Sequence, residues 1–324
     1  SFQQLFTELK PDLFLDNHVS NGADYQYTFT CIATQHERLG NKLGYFFIND
    51  LYPTIVKDMQ QKKIDVVPYV NVHSTTPDNG FEQFTDTPRY ATGYTTLFHT
   101  LGFVPETHML KAYSERVKVT YEFMISSIKY ADANVKKIKQ MRQDAMKDFQ
   151  PGMNYPLDWT IDSTKVSYID FKGFKGDYKA SEISGKDRLY YDRSKPFTKK
   201  ILFYGDYKPS KSITIPSAYI IPQSQWQVLD LLQLNGINYA QLQKDTIIEV
   251  ESYKIESYKT SNSAYEGHYS HFNTTVSKSI KKLKFYAGDY IFSTHQTSVK
   301  YLLETLEPEA VDSYFNWNFF DTIL

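Results

Sequence analysis

Three short stretches hold side chains whose types and spacing suit chemistry. In LFLDNHVSNGADYQYTF, residues 13–29, three consecutive apolar residues (Leu13, Phe14, Leu15) run straight into Asp16, Asn17 and His18, and a Ser-Asn-Gly turn follows. Asp16 and His18 are two apart, so a strand sets them on one face, where a carboxylate orients an imidazole for metal binding or proton transfer. A histidine capping a loop fits the same residues. In GFVPETHMLK, residues 102–111, an apolar run delivers Glu106 beside His108 and Lys111. A carboxylate at a strand end becomes a general base once burial raises its pKa. A structural ion pair with Lys111 or Arg116 is the alternative. The E-x-H spacing puts His108 on the face of Glu106, a weak indication of a further ligand. In TPRYATGYTTL, residues 87–97, Arg89, Tyr90 and Tyr94 suit an anionic or peptide substrate, because a guanidinium grips a carboxylate through two hydrogen bonds. A helix start with aromatic packing competes with that reading.

Two later clusters carry less. YEGHYSHF sets His268 and His271 three apart with Glu266 nearby, which suits a metal only in a favourable backbone conformation and otherwise reads as a surface loop. The stretch LEPEAVDSYFNWNFFD, with Trp317, Phe319 and Phe320, reads as a tail packed on the rest of the chain.

The elements that must position these residues follow from the apolar periodicity. Phe2 to Leu9 is the end of a helix stopped by Pro11, Asp12 to Asp16 a buried strand, and Tyr25 to Ile32 a second strand. Leu39, Leu43, Phe46, Phe47, Leu51, Ile55 and Met59 keep helical spacing, and Pro53 predicts a kink or two short helices. Val66 to Val72 is strand-like, Thr92 to Thr100 helical, and Gly102 to Glu106 a strand. One amphipathic stripe then runs through Val117, Tyr121, Ile125, Ile128, Val135, Ile138, Met141, Ala145 and Phe149. Alternating strands and helices predict an α/β layer arrangement. Pro151, Gly152 and Pro156 end the pattern, and β-prone segments dominate from Trp159 onward, joined by Gly, Asp, Lys and Ser turns. A helix at Gln225 to Leu234, a long strand at Thr246 to Tyr258, another at Phe285 to Phe292 and a helix at Thr297 to Leu306 complete the chain. The boundary falls near Gln150, between an α/β part (1–150) and a β-rich accessory domain (151–324).

The totals exclude some classes. Across 324 residues, 36 Lys and Arg balance 37 Asp and Glu, so a bulk electrostatic attraction to nucleic acid or an anionic membrane is absent. No apolar run reaches the ~20 residues of a membrane helix. The single cysteine, Cys31, excludes an internal disulfide framework. The 27 Tyr and 22 Phe predict exposed aromatic faces in the β-rich part. Such faces also suit a non-catalytic module that binds peptide or carbohydrate, the rival to an enzyme.

Taken in order, LFLDNHVSNGADYQYT, PRYATGY and GFVPETHMLKAYSERV resemble the zinc carboxypeptidase (carboxypeptidase A-like metallopeptidase) family, and more narrowly its bacterial members with a β-rich C-terminal extension ending in a stretch such as LEPEAVDSYFNWNFF. The resemblance implies a partial α/β/α sheet, hydrolysis of a peptide or amide bond, His18 as a zinc ligand, and Glu106 as the general base. Arg89, Tyr90 and Tyr94 are candidates for substrate binding. The family takes its other two ligands from an upstream His-x-x-Glu pair, whereas only 17 residues precede His18 here. The chain is therefore expected to represent the second half of a catalytic domain plus the extension. By the same resemblance it needs the N-terminal half as a partner, holds no zinc stably by itself because one ligand does not bind catalytic zinc, and acts in a secreted or periplasmic setting. Nucleic acid and membranes are not expected as partners.

Overall fold

The computed structural model describes residues 2–72 and 76–323. The first part of the chain forms α1 (Phe2–Leu9), β1 (Leu13–Leu15), β2 (His18–Ser20), β3 (Phe29–Ala33), α2 (Asn41–Phe46) and α3 (Tyr52–Gln61). It continues through β4 (Val67–Pro68), β5 (Asn71–Val72), β6 (Phe81–Glu82), α4 (Ala91–Thr96), β7 (Leu101–His108), α5 (Tyr113–Ala133) and α6 (Val135–Ala145). Helices and sheets are mixed, as an α/β reading requires.

β7 organises the first sheet, whose order is β1-β7-β3-β4 with β2 also paired to β7. It runs parallel to β1 and β2 and antiparallel to β3, and all eight of its residues are buried. Side chains alternate across a strand, so Leu101 and Phe103 join Phe29 and Cys31 of β3 in a core closed by Leu43, Phe47, Ile55 and Phe123 from the helices. The other set, Gly102, Val104, Glu106 and His108, faces the opposite side. The stripe from Leu39 to Met59 read from the sequence is buried throughout. The bend expected at Pro53 takes the form of a π turn, Phe47–Leu51, between α2 and α3, which absorbs the missing proline N–H without ending the helical path.

The stripe from Val117 to Phe149 differs from expectation in two ways. It is divided at Asn134, and α5 turns Val119, Phe123 and Tyr130 inward while Val117, Tyr121 and Ile128 stay exposed. Apolar residues occupy two faces of α5, and periodicity does not say which one the sheet covers. Phe123 decides it: its ring packs 4.9 Å from that of Phe29 and 5.6 Å from that of Phe103.

The second part holds β8 (Asn154–Ile161), β9 (Ser167–Ala180), β10 (Asp187–Tyr204), β11 (Tyr207–Thr214), β12 (Ala218–Ile221), α7 (Trp226–Leu234), β13 (Ala240–Gln241), β14 (Thr246–Thr260), β15 (His271–Phe285), β16 (Tyr290–Ser293) and α8 (Val299–Leu306). It is β-rich and built on the long antiparallel pairs β9–β10 and β14–β15. Packing nevertheless crosses residue 150. β10 pairs in parallel with β6, placing both parts in one sheet of order β5-β6-β10-β9. Tyr25, Tyr27 and Phe81 share a core with Phe171 and Ile201, and Phe6, Tyr94 and Leu97 share another with Ile221, Leu229 and Tyr301. The division into 1–150 and 151–324 thus describes element type; strand pairing and core burial join the two stretches.

Candidate functional site

The parallel pairing of β2 with β7 makes His18 and Glu106 direct register partners, and antiparallel pairing makes Thr30 of β3 the partner of Glu106 on its other side. His18 and Glu106 therefore stand side by side on one face of the sheet. Their environments differ. The His18 side chain is 51% exposed, and its Nε2 lies 2.9 Å from Asp16 Oδ2. Glu106 is buried, and its Oε2 has no hydrogen-bond partner. Burial pushes the Glu106 carboxyl up to about 7; His18 opposes the shift, and the nearby Asp16 and Asp86 add to it. An ion pair with Lys111, the structural alternative, is not formed: Lys111 bonds Asp24 and the carbonyl of Tyr25. A carboxyl that titrates near neutrality beside a half-exposed imidazole can take up and release a proton.

Asp86 belongs to this cluster and carried no signal in the sequence, because it lies in a polar loop without periodicity. It is buried, accepts a hydrogen bond from the Thr92 hydroxyl, and has a raised pKa caused first by burial. Its loop is pressed against α4 through Gly93, where a Cβ would come within 2.0 Å of the Thr87 carbonyl oxygen. Only a glycine permits that approach. Behind the cluster, the buried Tyr25 hydroxyl lies 3.3 Å from Ser20 Oγ, and burial pushes its pKa up to about 12.

His108 is structural. Its Nδ1 accepts the Leu110 N–H at 3.1 Å and its Nε2 lies 2.8 Å from the Ala23 carbonyl oxygen, so Nε2 carries the proton. Both ring nitrogens are used, and burial, the leading cause, lowers its pKa and keeps the ring neutral.

Arg89, Tyr90 and Tyr94 border a hollow of about 520 Å³ that also touches Asp16 and Phe14. The two-bond grip expected of Arg89 on a substrate carboxylate is taken up by the protein itself: Nη2 and Nε lie 2.6 and 2.7 Å from Asp312 Oδ1. Its guanidinium also sits over the Trp317 ring. Tyr94 is a core residue whose hydroxyl donates to Asn235 at 2.6 Å. Arg89 and Tyr90 reach the surface, and of these two only Tyr90 is not already engaged by Asp312.

His268 and His271 do not converge. His268 Nδ1 meets Asn318 Oδ1 at 2.6 Å, and His271 bridges Thr260 and Asp321. Rings of Trp317, Phe319 and Phe315 pack on the two histidines, so the aromatic C-terminal stretch covers the loop.

No protein-family model, curated protein or solved structure matches this chain.

Proposed function

We propose that the chain carries part of the active site of a zinc-dependent peptidase of the carboxypeptidase type, its first sheet being part of the α/β/α sheet of such an enzyme. The observation that carries the reading is the pairing of His18 with Glu106 across β2 and β7, with the Glu106 carboxyl held near neutrality. His18 is suited to be one metal ligand: Asp16 engages Nε2, which leaves Nδ1 for the ion and fixes the ring as carboxylate partners do. Glu106 is the general base, taking a proton from the attacking water onto its carboxylate and returning it to the leaving amine. Zinc, when bound, supplies the acidity that activates the water and polarises the scissile carbonyl. Tyr90 is the remaining candidate for contact with a peptide substrate at the rim.

Among the described residues, no three side chains around His18 converge to coordination distance, so the reading requires further ligands from a second segment, an N-terminal catalytic half carrying a His-x-x-Glu pair. The exposed edge of β1 and the apolar outer face of α5 are the surfaces suited to receive it.

The test uses the chain assembled with such a segment. Glu106→Gln is expected to lower peptide hydrolysis by at least roughly a hundredfold while the metal bound through His18 is retained. His18→Ala is expected to lose that metal and the activity together. Near-normal turnover in Glu106→Gln overturns the assignment.

A further inference from the structure

A second group of metal-ligating side chains lies away from the crevice. His36 and Glu37 belong to one 3-10 turn, His36–Leu39, between β3 and α2, and Asp206 sits in the short link between β10 and β11. One ligand atom from each of the three lies within 4.8 Å of the others. Glu37 Oε1 accepts the Tyr207 N–H at 2.6 Å. Its Oε2 is buried without a hydrogen-bond partner, 3.4 Å from His36 Nδ1.

Among the described residues no Lys or Arg pairs with Glu37 or Asp206. Arg38 turns away to Gln35 and Glu304, and Lys208 reaches Asp162. Two carboxylates and an imidazole held this close offer a divalent cation three ligand atoms at once. One nitrogen and two oxygen donors form a ligand set that zinc accepts, with solvent in the remaining position. Room for that solvent exists, since His36 and Glu37 line a cleft of about 810 Å³.

The backbone around the three ligands is fixed. Gly44 of α2 approaches the His36 carbonyl so closely that a Cβ there would lie 2.0 Å from the oxygen. The Asp206 carbonyl accepts the Asp162 N–H at 2.9 Å, and the Tyr207 bond to Glu37 ties the two ligand-bearing segments directly. Ligands on rigid backbone need little reorganisation to receive an ion.

We propose that His36, Glu37 and Asp206 bind a divalent metal ion of the zinc type, clamping the turn after β3 to the β10–β11 link. The site is independent of His18, and its ligands come from both sides of residue 150. An ion bound only by the folded chain stabilises it by mass action, so this clamp reinforces the junction of the two parts. The metal content of the chain by itself is then set by this cluster.

The experiment is zinc titration of the chelator-stripped chain by calorimetry, with the thermal midpoint followed in parallel. One zinc per chain and a midpoint that rises with zinc concentration are expected. His36→Ala and Asp206→Asn should each weaken binding by at least roughly tenfold, on the scale seen when metal-site groups are removed. Glu37→Gln should do the same while keeping an oxygen for the Tyr207 N–H, which separates loss of charge from loss of the backbone tie. His18→Ala should bind as the parent does. Absence of binding overturns the proposal, as does binding that survives both His36→Ala and Asp206→Asn or that disappears in His18→Ala. Because the readouts are metal content and thermal midpoint, failure here leaves the peptidase reading standing, and failure of that reading leaves this site standing.

Discussion

Two buried glutamates sit in contrasting surroundings. Glu304 on α8 is almost fully enclosed, yet its Oε1 receives Arg38 Nη1 at 3.2 Å and the Tyr155 hydroxyl at 2.8 Å. One turn earlier on α8, Lys300 is equally buried and donates to the carbonyls of Arg38 and Thr96. Burial is the first cause of the shifts here, raising Glu304 and lowering Lys300 to about 7. Oε2 is unpaired in both glutamates, but Glu106 receives no guanidinium or phenol hydroxyl, and His18 is the basic neighbour that opposes its shift. The first arrangement joins α8 to the turn after β3 with hydrogen bonds that saturate the charge on one oxygen. The second holds a carboxyl in a costly environment and compensates it little, which is the pattern expected where a group is kept for its proton chemistry.

The contrast makes opposite predictions for the two residues. Removing the partner of Glu304 should have the largest effect. Arg38→Ala leaves a buried carboxylate with Tyr155 as its hydrogen-bond donor and Lys300 as its nearby positive charge, and breaking a buried pair costs about 3–5 kcal/mol. Denaturant unfolding should show that loss near neutral pH. A change under about 1 kcal/mol would mean that the Arg38–Glu304 pair does not hold the two parts together.

Glu106→Gln should act in the other direction. The folded carboxyl titrates near 7 and a free one near 4.5, so between those values the folded chain holds a proton that the unfolded chain has released. The contribution of Glu106 to stability is therefore fully present below about pH 4.5 and is lost as pH rises through 7. At pH 8 the ionised, buried group is a liability, and Glu106→Gln should be the more stable chain, by up to about 3 kcal/mol. The gap should close toward pH 5. Thermal midpoints of the two chains from pH 5 to 8 check this. A constant gap, or a less stable variant at pH 8, would show that the Glu106 carboxylate is compensated after all.

The elements that place this contrast were partly legible. The apolar runs leading to His18 and Glu106 are local patterns and both form strands, but His18 opens the next strand, β2, instead of ending β1, and β7 continues past Glu106 to His108. Their register pairing depends on β2 and β7 meeting across a long intervening chain, which no local spacing encodes. Asp86 was silent for the same reason: its effect on Glu106 arises from a loop folded over α4. Arg89 was misleading because its partner, Asp312, lies far along the chain. A guanidinium next to tyrosines looks available in the sequence until that carboxylate arrives. The composition change at Gln150 was real, but β6 and β10 pair across it. Pairing between distant edges leaves no mark on either strand alone.

The smallest expected effect belongs to the outer face of α5, a helix whose two apolar faces repeat the comparison and whose inner face supplies the reference. Phe123 is enclosed between Phe29 and Phe103, so Phe123→Ala should cost about 3–5 kcal/mol through lost burial and the cavity left behind. Tyr121 and Ile128, both 59% exposed, have little contact to lose, and the double change Tyr121→Ser with Ile128→Ser should stay within about 0.5 kcal/mol. If the outer face receives a second catalytic segment, those two substitutions should weaken its association while leaving the stability of the chain alone unchanged. Unfolding midpoints give the first quantity, and titration with a segment carrying the His-x-x-Glu pair gives the second. A large loss of stability in the double variant would show that the outer face already packs within the chain. Unaltered association would remove α5 as the receiving surface and leave the edge of β1 to that role.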